Sequence, residues 1–437
     1  MSIYAIVLAA GIGERMWPLT STRPKPLLPI PGGTLLSRIL KSLERMVKGV
    51  VLVVKHYEWM IREYVEKVLG YGGWIRYALQ DEVKGTAHAI RVGLKALPRS
   101  ADKVIIYYGD VYFDPNPLEN INLEDDGNIV VASHVEDSSS YGLLVVRDGV
   151  LEKIIEKPEK PIPGLVNTGL MVLDRQVLEE AVEVVKLSPR GEYEATDALT
   201  YIAKKTRVNV VAYNGFWRDV GTPWSLLEVV RHELSKLKTQ QIEGEVETGA
   251  KIIGPVYIAP TAVVRAGSVI EGPSWIEGEV GPLSHIRPYT LTLLESKVGA
   301  LTQVKASIIM EYAKVPHLNY VGDSIVGEAS NLGAGTITAN LRFDHNTIKI
   351  RIRGRIVDTK HRKLGAFIGG YAQTGINVSL MPGVRVGAFS WIAPGLTVYD
   401  DVPDCTFLHI SRRGALETTS LRDKISCRVS NPPWRIK

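Results

Sequence analysis

No apolar run in the 437 residues approaches the roughly 20 that a membrane span requires. Cysteine is nearly absent. Cys405 and Cys427 are the two in the chain, too few and too late in the sequence to announce a disulfide framework or a zinc site. A reducing cytoplasm is the expected compartment. The N-terminal "YAIVLAAG" is too short for a signal peptide, has no basic leader and runs straight into a glycine loop. The charge excess is only +5, which gives no case for a nucleic-acid partner and leaves room for a local basic cluster facing a small anion. What is present is ordinary globular material: 45% hydrophobic and 23% charged residues, enough chain for two or three domains with large cores.

The first 235 residues alternate short apolar runs with helical stretches. "IYAIVLAA", "VVLVV", "KVIIYYGD" and "NIVVASH" read as buried strands, and Thr34 to Met46 reads as an amphipathic helix. That alternation predicts an α/β Rossmann-like fold, with ligands at the carboxyl ends of its strands. The first strand ends in "LAAGIGERMWPLTSTRPKPLLPI". Gly11 and Gly13 allow close backbone approach to a phosphate, and Arg15 and Lys25 can neutralise its charge. A tight turn would account for the glycines alone, and the G-K-[ST] ending of a Walker loop is missing. Asp110 directly follows a strand in "YYGD", and Asp219 stands in "WRDVGT". Two carboxylates in such turns would hold Mg²⁺ if they met in space. Each is equally explained as a turn residue.

Together these pieces resemble a sugar-phosphate nucleotidylyltransferase. "QDEVKGTAHAI", "YGLL", "IIEKP", "VNTGLMVLD" and "GEYEATDAL" follow in family order across residues 1–235. The resemblance implies that Gly11, Gly13 and Arg15 hold a nucleoside triphosphate, UTP or dTTP, with Lys25 near the transferred group. It implies that Gln80, Gly85 and Thr86 read a pyrimidine base, and that Asp110 and Asp219 hold Mg²⁺. Gly142, Glu156, Lys157, Asn167 and Gly169 would contact a sugar 1-phosphate. Glu14 stands where the family commonly has Thr.

After a polar stretch at 236–251, read as a linker, a six-residue period begins. Ile252, Ile258, Val264, Ile270 and Ile276 are in frame, as are Val326, Leu332 and Thr338, and then Ile368, Thr374, Leu380, Val386, Ile392 and Val398. An aliphatic residue every sixth position marks a parallel β-helix over 252–405. Two stretches break the frame. "AKVPHLNYVGD" interrupts it at Ala313 to Asp323. The second, Ala339 to Lys363, alternates Ile348, Ile350 and Ile352 with Lys349, Arg351 and Arg353, which predicts a hairpin with one basic face. That face is either an edge blunted by charge or a clamp for phosphates.

The hexads resemble those of left-handed β-helix transferases, and "VPHLNYVGD" with "NLGAGTITAN" resembles the acetyltransferase signature of bifunctional enzymes that make UDP-N-acetylglucosamine. The resemblance is closer to the archaeal type, which carries a similar "ANLRFD", than to the bacterial one. This resemblance implies that His317 is the general base for acetyl transfer from acetyl-CoA. Arg287 and Lys305 would hold an amino-sugar phosphate, and Tyr320, Asn331 and Asn340 would position the amino sugar. Ala334, Gly370 and Ala393 would line the acetyl-CoA site. It also implies a homotrimer, alone or paired into hexamers. An isolated His317 would more often be structural, so the alternative is a single-function nucleotidylyltransferase with a structural or regulatory β-helix. The tail, 406–437, matches nothing in the family; "ALETTSLRDK" reads as a short helix in it.

Overall fold

A computed structural model describes residues 1–123 and 127–435. The chain forms two compact units: Met1–Ile12 with Pro24–Leu28 and Gly33–Val220, and Gly13–Arg23 with Pro29–Gly32 and the chain from Gly221 onward.

The first unit is built on a nine-stranded sheet in the order Ile75–Leu79, Val50–Val54, Ile3–Ala9, Lys103–Tyr108, Gly164–Asp174, Asn128–Val135, Val208–Ala212, Val150–Glu156 and Gly142–Arg147. The first four strands are parallel, as the run of Val and Ile predicted. Gly164–Asp174 enters antiparallel to both neighbours, so the sheet is mixed. Ile6, Val51, Ile106 and Val130 are fully or almost fully buried in its core, where Ile90 and Leu94 of helix Thr86–Ala96 pack. The expected helix at 34–46 runs from Leu35 to Leu43, and Thr34 caps it by accepting from the Ser37 N–H.

The second unit is a parallel β-helix of the left-handed hexapeptide type. Three sheets of eight, ten and eight strands form its sides, parallel throughout except for the last strand of the ten. The frame residues Ile258, Val264, Ile270, Ile276, Val326 and Leu332 are all 0% exposed, which is why the hexad is so regular. Its first strands, Gln241–Ile242 and Glu245–Val246, fall within the stretch read as a linker and pair with the coil above. The apparent interruption at 313–323 is a phase slip. Ile270 pairs with Ile286, Ile286 with Val304 and Val304 with Val321, successive offsets of 16, 18 and 17 residues, so coils continue while the sixfold frame drifts. Lys349–Ile352 and Arg355–Asp358 form the expected hairpin. Ile350 and Ile352 are buried, and Lys349 and Arg351 are exposed.

Two expectations for the tail are corrected. "ALETTSLRDK" contains a strand, Leu416–Ser420, antiparallel to Thr406–Ile410. Thr418 and Thr419 favour extended backbone, and Gly414 takes the left-handed turn before it at φ 79°. Cys405 and Cys427 are disulfide-bonded, with Cα atoms 6.0 Å apart. Their position in the sequence gave no sign of the turn at Leu421 that brings them together. Residues 436–437 of the tail lie outside the described residues.

Candidate functional site

Strand ends create the first site. Strands Ile3–Ala9 and Lys103–Tyr108 lie side by side in parallel, so the loops that follow them open at the same edge of the sheet. Gly11, Lys25, Gln80, Gly85, Thr86, Tyr108, Asp110 and Glu192 line a cavity of about 220 Å³ there. A two-stranded ribbon does what the sequence could not reveal. Phe216–Asp219 pairs antiparallel with Val111–Asp114, setting Asp219 opposite Val111. The Val220 N–H donates to the Asp110 carbonyl at 2.8 Å. Both acids thereby reach one cation: Lys25 Nζ lies 2.5 Å from Asp110 and 3.8 Å from Asp219. The Lys25 side chain is only 9% exposed, so its charge is poorly screened.

On the other wall, Gln80 is 2% exposed, and its amide nitrogen is 3.0 Å from His88 Nδ1. Gly85 has φ 97°, and a Cβ there would sit 2.5 Å from the Tyr193 carbonyl oxygen. Thr86 Oγ1 accepts from the Ala195 N–H at 2.9 Å; the hydroxyl therefore ties two helices as well as lining the cavity. Gly13 and Arg15 belong to the second unit, at the start of the turn Glu14–Met16.

The expected sugar-phosphate residues cluster on neighbouring strands. Gly142 pairs with Glu156. Glu156 bridges Lys157 at 3.3 Å and Arg190 at 3.2 Å. Asn167 Oδ1 accepts from the Gly169 N–H at 3.0 Å. Gly169 has φ 86°, and a Cβ there would collide with the Tyr108 ring at 2.7 Å. Tyr108, Arg190 and Glu192 went unread in the sequence. Burial pushes the Tyr108 phenol well above its ordinary range, so it stays a neutral hydroxyl. Arg190 also holds Glu194 at 2.8 Å. The segment "GEYEATDAL" was the available signal for Glu192 and, immediately before it, Arg190; "YYGD" held Tyr108.

In the second unit, each turn between sheets is an edge of the prism. Arg287, Lys305 and Asn340 follow strands His285–Ile286, Gln303–Lys305 and Ile337–Thr338 of one sheet, or end them, so they mark one edge. Asp323 stands on the same edge. Its carboxylate accepts from Asn340 Nδ2 at 2.6 Å and is 3.4 Å from Lys305 Nζ. Tyr320 OH is 3.4 Å from the same Asn340 nitrogen. Lys305 and Asp323 line a cavity of about 340 Å³ with Tyr289, Arg231 and Lys363. His317 lies between Val315 and Tyr320, which belong to different sheets, so it marks another edge. Ala334 and Ala393 follow strands of the same sheet as Val315 and share that edge. The Gly335 N–H donates to the His317 carbonyl at 3.2 Å. Leu301 and Leu318 are 57% and 60% exposed beside it. Asn331 begins a strand on the adjoining face, and Gly370 follows Phe367–Ile368 at the third edge. The structure thus joins Lys305, Tyr320 and Asn340 and separates them from His317. Asp323 escaped the sequence reading because a Gly-Asp pair reads as a turn. Among the described residues, no group of three or more metal-ligating side chains clusters, and no helix is long and apolar enough to cross a membrane.

Comparison with known proteins accords with this two-part arrangement. The family model "Nucleotidyl transferase" matches residues 4–236. The chain is 41% identical over 403 residues to a "Bifunctional sugar-1-phosphate nucleotidylyltransferase/acetyltransferase" of Sulfurisphaera tokodaii, covering 91% of this chain and 98% of that one. It is 40% identical over 409 residues to the "Bifunctional protein GlmU" of Methanocaldococcus jannaschii, covering 93% and 97%. Identity to the protein of the same description from Thermotoga sp. is 29% over 452 residues, covering 91% and 94%.

Proposed function

The chain belongs to the nucleotidyl transferase family, among its bifunctional sugar-1-phosphate nucleotidylyltransferase/acetyltransferases, and from that premise we propose its substrates and the residues that handle them. The first unit joins UTP or dTTP to a sugar 1-phosphate, N-acetylglucosamine 1-phosphate or glucose 1-phosphate. The second acetylates glucosamine 1-phosphate from acetyl-CoA. With acetylation first, its product N-acetylglucosamine 1-phosphate is then joined to UTP, and the two steps supply UDP-N-acetylglucosamine. The carrying observation is the convergence of Asp110 and Asp219 on Lys25, which lines a cavity together with Asp110 and Gln80.

An oxygen of the sugar 1-phosphate attacks the α-phosphorus of the triphosphate. The new O–P bond forms as the bond to the β-phosphate oxygen breaks, and pyrophosphate leaves with that electron pair. The attacking phosphate is already ionised, so no side chain need remove a proton. Lys25 and Arg15 neutralise phosphate charge, and Glu156, Lys157 and Asn167 orient the sugar. Two carboxylates already sharing one cation are the donor set that Mg²⁺ prefers, with phosphate oxygens and water completing its shell. Asp110 and Asp219 would hold it; when bound it supplies further charge neutralisation at the triphosphate.

For acetyl transfer, His317 takes the proton from the sugar's 2-amino group as nitrogen attacks the thioester carbon and coenzyme A leaves. Within one chain the base and the phosphate-holding group occupy different edges, so the complete site requires the His317 edge of a second copy. The exposed Leu301 and Leu318 support a homotrimer built along that edge. A cytoplasmic location fits substrates of this kind. The test mixes two inactive variants, His317→Ala and Lys305→Ala, after dissociation and reassembly. Mixed assemblies regain coenzyme A release from acetyl-CoA and glucosamine 1-phosphate if the site is shared. Two variants that stay silent together, while the native chain reassembles actively, refute the shared site.

A further inference from the structure

Gln80 reads a base only if its amide faces one way. Carbonyl oxygen and amide nitrogen have the same shape, and a flipped amide presents the opposite hydrogen-bonding pattern. Gln80 leaves strand Ile75–Leu79 with its backbone N–H on the Val54 carbonyl. His88 stands in the first turn of helix Thr86–Ala96. Their side chains meet at 3.0 Å between Gln80 Nε2 and His88 Nδ1.

The chemistry of the amide decides which atom donates. Gln80 Nε2 can only donate, so Nδ1 carries a lone pair and accepts from it. A neutral imidazole has one N–H, which then sits on Nε2. The reverse amide orientation would set an oxygen lone pair against the Nδ1 lone pair. We propose that His88 is a positioning residue that locks the Gln80 amide, so that Gln80 offers the cavity its carbonyl oxygen and one remaining N–H. This rests on the reading of the cavity as a nucleotide site. The pattern matches uracil and thymine, which carry N3–H beside a C4 carbonyl. Cytosine has a bare N3 and a C4 amino group and meets this edge with like groups facing.

The surroundings keep the lock in place at neutral pH. Burial, then Arg91 and Lys84, hold the His88 pKa below its ordinary 6.5, with Glu82 opposing them. Tyr193, with its ring centroid 6.5 Å away, packs from the neighbouring segment, and Lys55 lies across the loop on the Asp81 carbonyl. A proton added to Nδ1 would face the Gln80 N–H, and the amide would then favour the opposite orientation. Base discrimination is therefore complete above the His88 pKa and falls as pH drops through it.

The experiment measures kcat/KM for UTP and CTP with the native chain, His88→Phe and His88→Asn. Phenylalanine keeps the ring and removes the acceptor; asparagine can return an oxygen near the Nδ1 position. One hydrogen bond of this kind is worth about a tenfold change in the UTP/CTP ratio. The ratio should fall by that factor in His88→Phe and recover in His88→Asn. It should also fall in the native chain as pH drops below the ordinary histidine value of 6.5. The native pH series decides the matter if His88→Phe does not fold. A native chain that prefers UTP, with a ratio unmoved by either His88→Phe or pH, overturns the lock and leaves the nucleotide site standing. A native chain that prefers neither UTP nor dTTP over other triphosphates overturns the nucleotide reading itself.

Discussion

Lys25 Nζ lies 2.5 Å from the Asp110 carboxylate, a nearly buried cation held at the mouth of a strand. In water such a pair is worth little, but a side chain 9% exposed is poorly screened. Lys25 is therefore fixed where phosphate charge would develop. Lys25→Met should lower the kcat for pyrophosphate release by roughly 10²–10³, the loss typical of one preorganised donor. Coenzyme A release by the same variant should be unchanged. A Lys25→Met chain with near-native pyrophosphate release would remove the lysine from the transfer step.

Asp110→Asn tests the metal assignment separately. The amide keeps the shape of the side chain and loses the charge, so pyrophosphate release should fall at low Mg²⁺. Raising Mg²⁺ should recover part of it, because Asp219 remains. Full activity at all Mg²⁺ concentrations would refute a metal role for Asp110.

Whether the two acids meet was hidden in the sequence, because short paired segments far apart in the chain bring them together. Val111–Asp114 and Phe216–Asp219 have four residues each, too few to show a period. The β-helix was legible because most of its frame residues are fully or almost fully buried and most are aliphatic. The same frame misled at 313–323, where offsets of 16 to 18 residues shift the phase without ending a coil. His88 lies eight residues beyond Gln80, across the loop between strand Ile75–Leu79 and helix Thr86–Ala96, so neither the helical nor the strand period relates them. The Leu416–Ser420 strand was missed because its partner is the preceding strand and its face is fully exposed, so no apolar pattern was imposed.

Gly85 takes φ 97° with its missing Cβ aimed at Tyr193. Gly85→Ala would need both a left-handed residue and a shift of backbone 2.5 Å away. The loop after Gln80 should move, raising KM for the nucleotide about tenfold or more. Steady-state kinetics at varied UTP check this. An unchanged KM would show that the loop does not touch the nucleotide.

Asp323 accepts from Asn340 and faces Lys305, so one carboxylate sets two side chains expected to hold the amino-sugar phosphate. Removing it frees the Lys305 ammonium and lets the Asn340 amide turn. Asp323→Ala should raise KM for glucosamine 1-phosphate about tenfold and leave KM for acetyl-CoA near native. Asp323→Asn retains an oxygen acceptor and should lie between the two. Equal losses for both substrates would mean a general collapse of the edge rather than lost positioning.

The Cys405–Cys427 bond closes a loop across a sequence separation of 22 residues. Within that loop lies the exposed strand Leu416–Ser420, which buries almost nothing of its own. Its order therefore depends on backbone pairing to Thr406–Ile410 and on the covalent closure. A loop of this length is restrained by about 3 kcal/mol relative to the open chain. Leu416–Ser420 is the edge strand of the ten-stranded sheet and all five of its residues are exposed, so that term contributes to keeping it docked. Cys427→Ser should expose the chain after Cys405 to protease, with cleavage between Arg412 and Lys424, while the hexad coils of the β-helix stay resistant. Treatment of the native chain with a thiol reductant should give the same cleavage. Protection that is equal in the native and Cys427→Ser chains would show that strand pairing alone secures the tail.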